Sequence, residues 1–210
     1  MNNRGNHIKN YGGVIFLNRC INVFLLLTFM LVLTGCNHSE DNLKDDEVMR
    51  NIDIYDFHNI KKAPVASMKQ DLDEIIKLTF STNSPIQTRI AIDIKNNKIY
   101  KNPIFSKNGL VSTDGSIEFD YKEKLLNILE KYKIQDWKKD YTTEDPDTYQ
   151  DGAGWYLLLQ FEDGTTESHG GQGTTDKIFP KEFDAFVEEI DQLAKEILGE
   201  DYMKNSQSEP

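Results

Sequence analysis

The stretch Gly154-Trp155-Tyr156-Leu157-Leu158-Leu159-Gln160-Phe161-Glu162-Asp163-Gly164-Thr165-Thr166-Glu167-Ser168-His169 decides the fold class. Trp155, Leu157, Leu159 and Phe161 alternate with Tyr156, Leu158, Gln160 and Glu162, the two-residue period of a strand. Asp163-Gly164 is a hairpin turn signal, because glycine takes the positive φ such turns require. Thr165 to His169 then reads as the partner strand, and the pair predicts antiparallel sheet. Tyr156 and Leu158 lie on the alternate side, so the second face of that sheet is expected to be partly buried as well.

Downstream, Gly170-Gly171-Gln172-Gly173 reads as a glycine-rich loop leading to Pro180, which suits the first turn of a helix. Phe183, Phe186, Val187, Ile190, Leu193, Ala194 and Ile197 keep a helical period, and Gly199 suits its C-terminal cap. Upstream, Leu125, Ile128, Leu129 and Tyr132 predict another helix, with Asp120 and Glu123 spaced as a capping box. Ile76, Leu78 and Phe80 alternate with Lys77, Thr79 and Ser81, predicting a half-buried strand over 75–82. Residues 89–101 read as a hairpin turning at Asn96-Asn97, and 104–119 as either a short hairpin or a structured loop. The expectation is α+β: an antiparallel sheet with two helices on one face, ordered as two ββα units. Residues 68–198 are read as a single domain and 199–210 as a disordered tail.

The N-terminal 35 residues differ in kind. They carry Arg4, Lys9 and Arg19 and no acid, followed by the apolar run Val23–Leu33 and small residues before Cys36. Eleven apolar residues fall short of the roughly 20 that span a bilayer, which favours a cleaved secretory signal. Leu33-Thr34-Gly35-Cys36 resembles the lipobox of bacterial lipoproteins. That resemblance implies diacylglycerol on the Cys36 sulfur, with palmitate a typical chain, and cleavage between Gly35 and Cys36. It places the product on the extracytoplasmic face of the cell membrane.

The chain after Gly35 has 21 basic and 35 acidic side chains, a net of −14. Such a charge opposes nucleic acid and anionic lipid surfaces as partners, leaving a basic envelope protein as an admissible one. Cys20 lies in the leader and Cys36 would be acylated, so no disulfide is available to the delivered part. Residues 36–67 are polar and acidic and read as a flexible tether.

Trp137, Asp151-Gly152, Trp155, the run ending at Gly164, the glycine-rich stretch, and Pro180 with Phe183 resemble a pattern of uncharacterised lipoproteins and hypothetical proteins of Gram-positive bacteria. The resemblance covers roughly the last 80 residues and implies no catalytic residue.

Three groups carry candidate chemistry. Asp145-Pro146-Asp147-Thr148-Tyr149-Gln150-Asp151 gathers oxygen ligands that Ca²⁺ could accept, but glycine and acid spacing depart from an EF-hand, and a solvated acidic loop is the favoured reading. His169 follows Ser168, and adjacent strand residues point to opposite faces, so the two cannot act as base and nucleophile; it reads as a turn histidine. Trp137, Tyr141, Tyr149, Trp155 and Tyr156 could stack on a ligand, with packing favoured. Asp147, Tyr149, Asp151 and His169 are therefore the candidate ligand-binding set. The reading preferred is a non-catalytic binding or accessory module. The alternatives are an inhibitory or immunity-type protein capping a basic partner, and an envelope enzyme using Asp147, Asp151 or Glu167.

Overall fold

A computed structural model describes residues 52–112, 114–145 and 152–203. The strands are β1 Ile75–Thr82, β2 Thr88–Asp93, β3 Lys98–Tyr100, β4 Ile104–Phe105, β5 Leu110–Ser112, β6 Ser116–Glu118, β7 Ala153–Phe161 and β8 Thr166–Gly173. Six of them form one antiparallel sheet in the order β6-β3-β2-β1-β7-β8, and β4 pairs separately with β5. Helices α1 Lys122–Lys131 and α2 Phe183–Leu198 complete an α+β domain.

Register explains which residues meet the helices. Leu78 lies between Ile92 and Leu159, and Phe80 between Ile90 and Leu157, so one sheet face is a continuous apolar surface. The apolar stripe of α2, from Phe183 through Phe186, Val187, Ile190 and Leu193, and that of α1, Leu125, Ile128 and Leu129, are buried in the same core. Ring edges lock it: Phe186 meets Phe80 at 5.3 Å, Trp137 at 5.1 Å and Tyr132 at 5.7 Å. Lys124 with Glu196 and Lys131 with Glu189 join the two helices at the surface. Such exposed pairs add little beside the buried rings.

The strand expected over 75–82 is found there, but it is buried on both faces rather than half-buried. The register shifts between Ile75 and Lys77, so Ile76 is the extra residue of a bulge, and Lys77, Thr79 and Ser81 face a second layer. That layer comes from the segment read as tether. Phe57–Lys62 forms a short 3-10 helix whose Phe57 and Ile60 are buried with Ala91, Leu110 and Leu158. The expected tether over 36–67 is thus corrected from Asp53 onward, because Phe57 and Ile60, three apart, present one apolar edge to the sheet. Residues 104–119 divide between the two readings left open: β4–β5 is a small hairpin, with Leu110 on that second layer, and β6 extends the main sheet beside β3.

Other local expectations shift for physical reasons. α1 starts at Lys122 with Tyr121 in the N-cap position and no side chain capping it, which leaves Asp120 one position too early for the capping box. Pro180 precedes α2 by three residues, in a turn where Glu182 adopts φ 64°. The glycines 170–173 belong to β8 and are not a loop. A Cβ on Gly171 would stand 2.3 Å from the Ile178 carbonyl oxygen and 2.7 Å from Trp155 Nε1, so only glycine lets these elements close on the strand. The tail is corrected in part: Gly199 ends α2 at φ 97°, and Tyr202 is buried with its hydroxyl donating to Asp191 at 2.9 Å.

Candidate functional site

β8 is the last strand of the sheet, and its outer edge is capped by two segments, residues 64–66 and residues 139–143. Thr166 donates its N–H to Pro64 O at 2.8 Å and its carbonyl accepts from Ala66 at 2.8 Å. Gly170 donates to Lys139 O at 3.1 Å and accepts from Tyr141 at 2.8 Å. Alternation along an antiparallel edge turns the N–H and C=O of Ser168 the same way, into the interval between the caps. A shallow cavity of about 220 Å³ lies beside this interval, with Trp137, Glu167 and His169 among its walls and Lys69 and Lys139 contributing charge. Val65 and Met68, 65% and 75% exposed, give it an apolar lip.

His169 is therefore a strand residue, not a turn residue, and only 1% of it is exposed. It pairs with Leu157 in register and so faces the helices, edge-on to Trp137 at 6.3 Å. Its Nδ1 lies 3.1 Å from the Lys138 carbonyl oxygen and its Nε2 2.8 Å from Glu167 Oε1. Both ring nitrogens face acceptors and neither points to open space, so the imidazole is poorly placed as a base or a metal ligand. Glu167, proposed from sequence as an acid of an enzyme, holds that ring. The indoles are packing groups as expected: Trp137 Nε1 donates to Tyr132 O at 3.1 Å and Trp155 Nε1 to Ile178 O at 2.6 Å.

Asp147, Tyr149 and Asp151 lie outside the described residues, as does most of the 145–151 stretch read as a Ca²⁺ loop, and so do Gly35 and Cys36. Among the described residues no cluster of three or more His, Cys, Asp or Glu is placed to hold a metal ion. An open depression of about 420 Å³ between residues 69–73 and α1 is lined by Lys69, Asp71, Asp73 and Glu130, all solvent-facing.

Sequence reasoning missed a second polar constellation, on the sheet face opposite the helices. Lys77 has Asp93 as its register partner on β2 and Gln160 on β7. Its side chain is 2% exposed, with Nζ 3.8 Å from Asp93 Oδ2 and 5.8 Å from the centre of the Phe57 ring. Burial pushes the Lys77 ammonium below the usual lysine range, against the opposing pull of Asp93. Asp93 is held by Asn96, whose backbone N–H donates at 3.1 Å and side-chain amide at 2.9 Å. Gln160 donates from Nε2 to Ile54 O at 2.8 Å, while its buried Oε1 has no hydrogen-bond partner among the described residues. An orphaned buried acceptor of that kind costs about 1–3 kcal/mol. The signal was present in the sequence as Lys77 and Asp93, whose alternation puts each on the polar face of its strand. What hid it was the reading of 53–66 as solvent-borne chain.

No family model matches the chain, and no curated protein and no solved structure matches it. The fold and the two constellations define a small α+β domain with a shallow edge groove and a covered polar face.

Proposed function

We propose that the chain is a lipoprotein held on the extracytoplasmic face of the cell membrane through Cys36, and that its folded part is a non-catalytic binding module. The observation that carries this reading is Leu33-Thr34-Gly35-Cys36 following a basic, acid-free leader and an eleven-residue apolar run. Two acyl chains would anchor stably where one binds only marginally. The folded unit begins at Asp53. The sixteen residues 37–52 can span at most about 55 Å, so the domain would work close to the bilayer.

A binding role is favoured over catalysis by the groove beside β8. Its one histidine is closed between two acceptors, while Ser168 and the exposed Val65 and Met68 offer backbone and apolar contacts. The test is metabolic labelling with a palmitate analogue in a bacterial host, followed by fractionation. The expected result is label in the membrane fraction for the native chain, and an unlabelled, mislocalised product for Cys36→Ala. A Cys36→Ala product that stays firmly in the membrane would contradict the reading and point to an uncleaved anchor.

A further inference from the structure

We propose that residues 53–66 are a displaceable strap, which lifts from the sheet as a unit and uncovers the Lys77–Asp93–Gln160 face while the helix-covered face stays folded. The inference concerns the domain alone and stands whether or not Cys36 is acylated.

Four independent features support it. The strap buries little: Phe57, Ile60 and Ala63 are its buried apolar side chains, of which Phe57 and Ile60 pack with Ala91, Leu110 and Leu158. Its remaining hold is a set of separate polar ties, including Lys61 N–H to Asn108 O at 2.9 Å, Lys61 Nζ to Ser106 O at 2.9 Å and Tyr55 Oη to Glu162 O at 3.2 Å. The surface beneath is more polar than the opposite face, carrying Lys77, Thr79, Asp93, Gln160 and Thr166 beside Ala91 and Leu158. Closure leaves Gln160 Oε1 without a donor among the described residues, a deficit that water relieves when the strap lifts.

These terms have opposite signs for opening and closing. Lifting the strap exposes Phe57 and Ile60 and uncovers Ala91, Leu110 and Leu158 beneath them, but it rehydrates a buried ammonium, its carboxylate partner and an orphaned amide oxygen. Lifting the helices would expose the larger apolar set Phe80, Phe183, Phe186, Leu129 and Leu159, with few buried polar groups, His169 and Asp191 among them, to rehydrate in return. Local opening is drawn from regions with few buried apolar contacts, and the strap is such a region. Its last residues also form one cap of the groove, through Pro64 and Ala66 on Thr166, so opening would widen that groove as it uncovers Lys77.

The test is native-state acetylation of Lys77 in the full chain with a small amine-reactive reagent, read by peptide mass spectrometry, beside urea unfolding of the same samples. Phe57→Ala is expected to speed Lys77 labelling by at least about tenfold more than it shifts the global unfolding constant. Lys61→Met, which removes one tie and should leave folding intact, is expected to move labelling in the same direction by a smaller factor. If labelling and global unfolding change by the same factor in both variants, Lys77 is reached only through whole-domain unfolding and the strap is overturned.

Discussion

The two faces of the central sheet are covered in different ways. On one, α1 and α2 lay continuous apolar stripes over Leu78, Phe80, Ile90, Ile92, Leu157 and Leu159, and interlocking rings fill the space. On the other, a single 3-10 turn and a two-stranded hairpin cover a surface that includes a lysine, an aspartate and a glutamine. Buried area is a stabilising term on both faces, but polar desolvation offsets a larger share of it on the second. The same strands therefore have one face suited to permanence and one suited to change.

The comparison can be broken most forcefully with phenylalanine. Phe186→Ala is expected to cost about 3–5 kcal/mol in urea denaturation, since the ring is fully buried among rings that cannot collapse together. Phe57→Ala should cost about 2 kcal/mol or less globally, because the strap can detach without the rest. Equal losses would erase the distinction. Gly171→Ala probes the tight side of the helix face, where a methyl would meet backbone at Ile178; overpacking there is expected to cost about 1–3 kcal/mol. A smaller effect is expected from Tyr202→Phe, which removes the hydroxyl donated to Asp191 while Lys195 still holds that carboxylate. The loss should be about 1 kcal/mol, measured as a shift in urea midpoint.

The smallest effect belongs to pH. The folded-state pKa of Lys77 is depressed, so between that value and the ordinary lysine value of 10.5 the unfolded chain binds more protons than the folded one. Stability contributed at this position therefore rises with pH through that window. Lys77→Met should lack the rise, so its stability relative to the native chain should decline as the pH climbs from the depressed folded-state value towards pH 10. Measurements should stop there, because Tyr100 and Tyr156, both raised chiefly by burial, begin to oppose the trend above the ordinary tyrosine range. A constant difference between the two proteins across this window would remove Lys77 from the account.

Much of the helix face was legible because its signals are local and periodic. Leu157, Leu159 and Phe161 alternate, Asp163-Gly164 turns with Gly164 at φ 84°, and α2 repeats its apolar residues every three or four positions. The strap face was not legible for the converse reason. Phe57 and Ile60 make one apolar edge inside a polar, acidic stretch, too short for a periodicity argument, and their burial depends on Ala91, Leu110 and Leu158 far along the chain. The glycines of β8 misled in a related way. Three glycines in four residues signal a loop, whereas here their missing side chains admit Ile178 and Tyr141 against a strand. Of the candidate site, His169 was named but its environment was not. Only its register opposite Leu157 turns it towards Trp137, and that register is a property of the assembled hairpin.

Native-state hydrogen exchange across a urea series tests the difference between the faces most directly. The account predicts that the amides of Lys61, Ala63 and Ala66 exchange through an opening at least about 2 kcal/mol less costly than the one that exposes Leu129 and Val187, and with a shallower urea dependence. A single opening free energy and a single urea slope for both sets would contradict it, and would make strap and helices one cooperative unit.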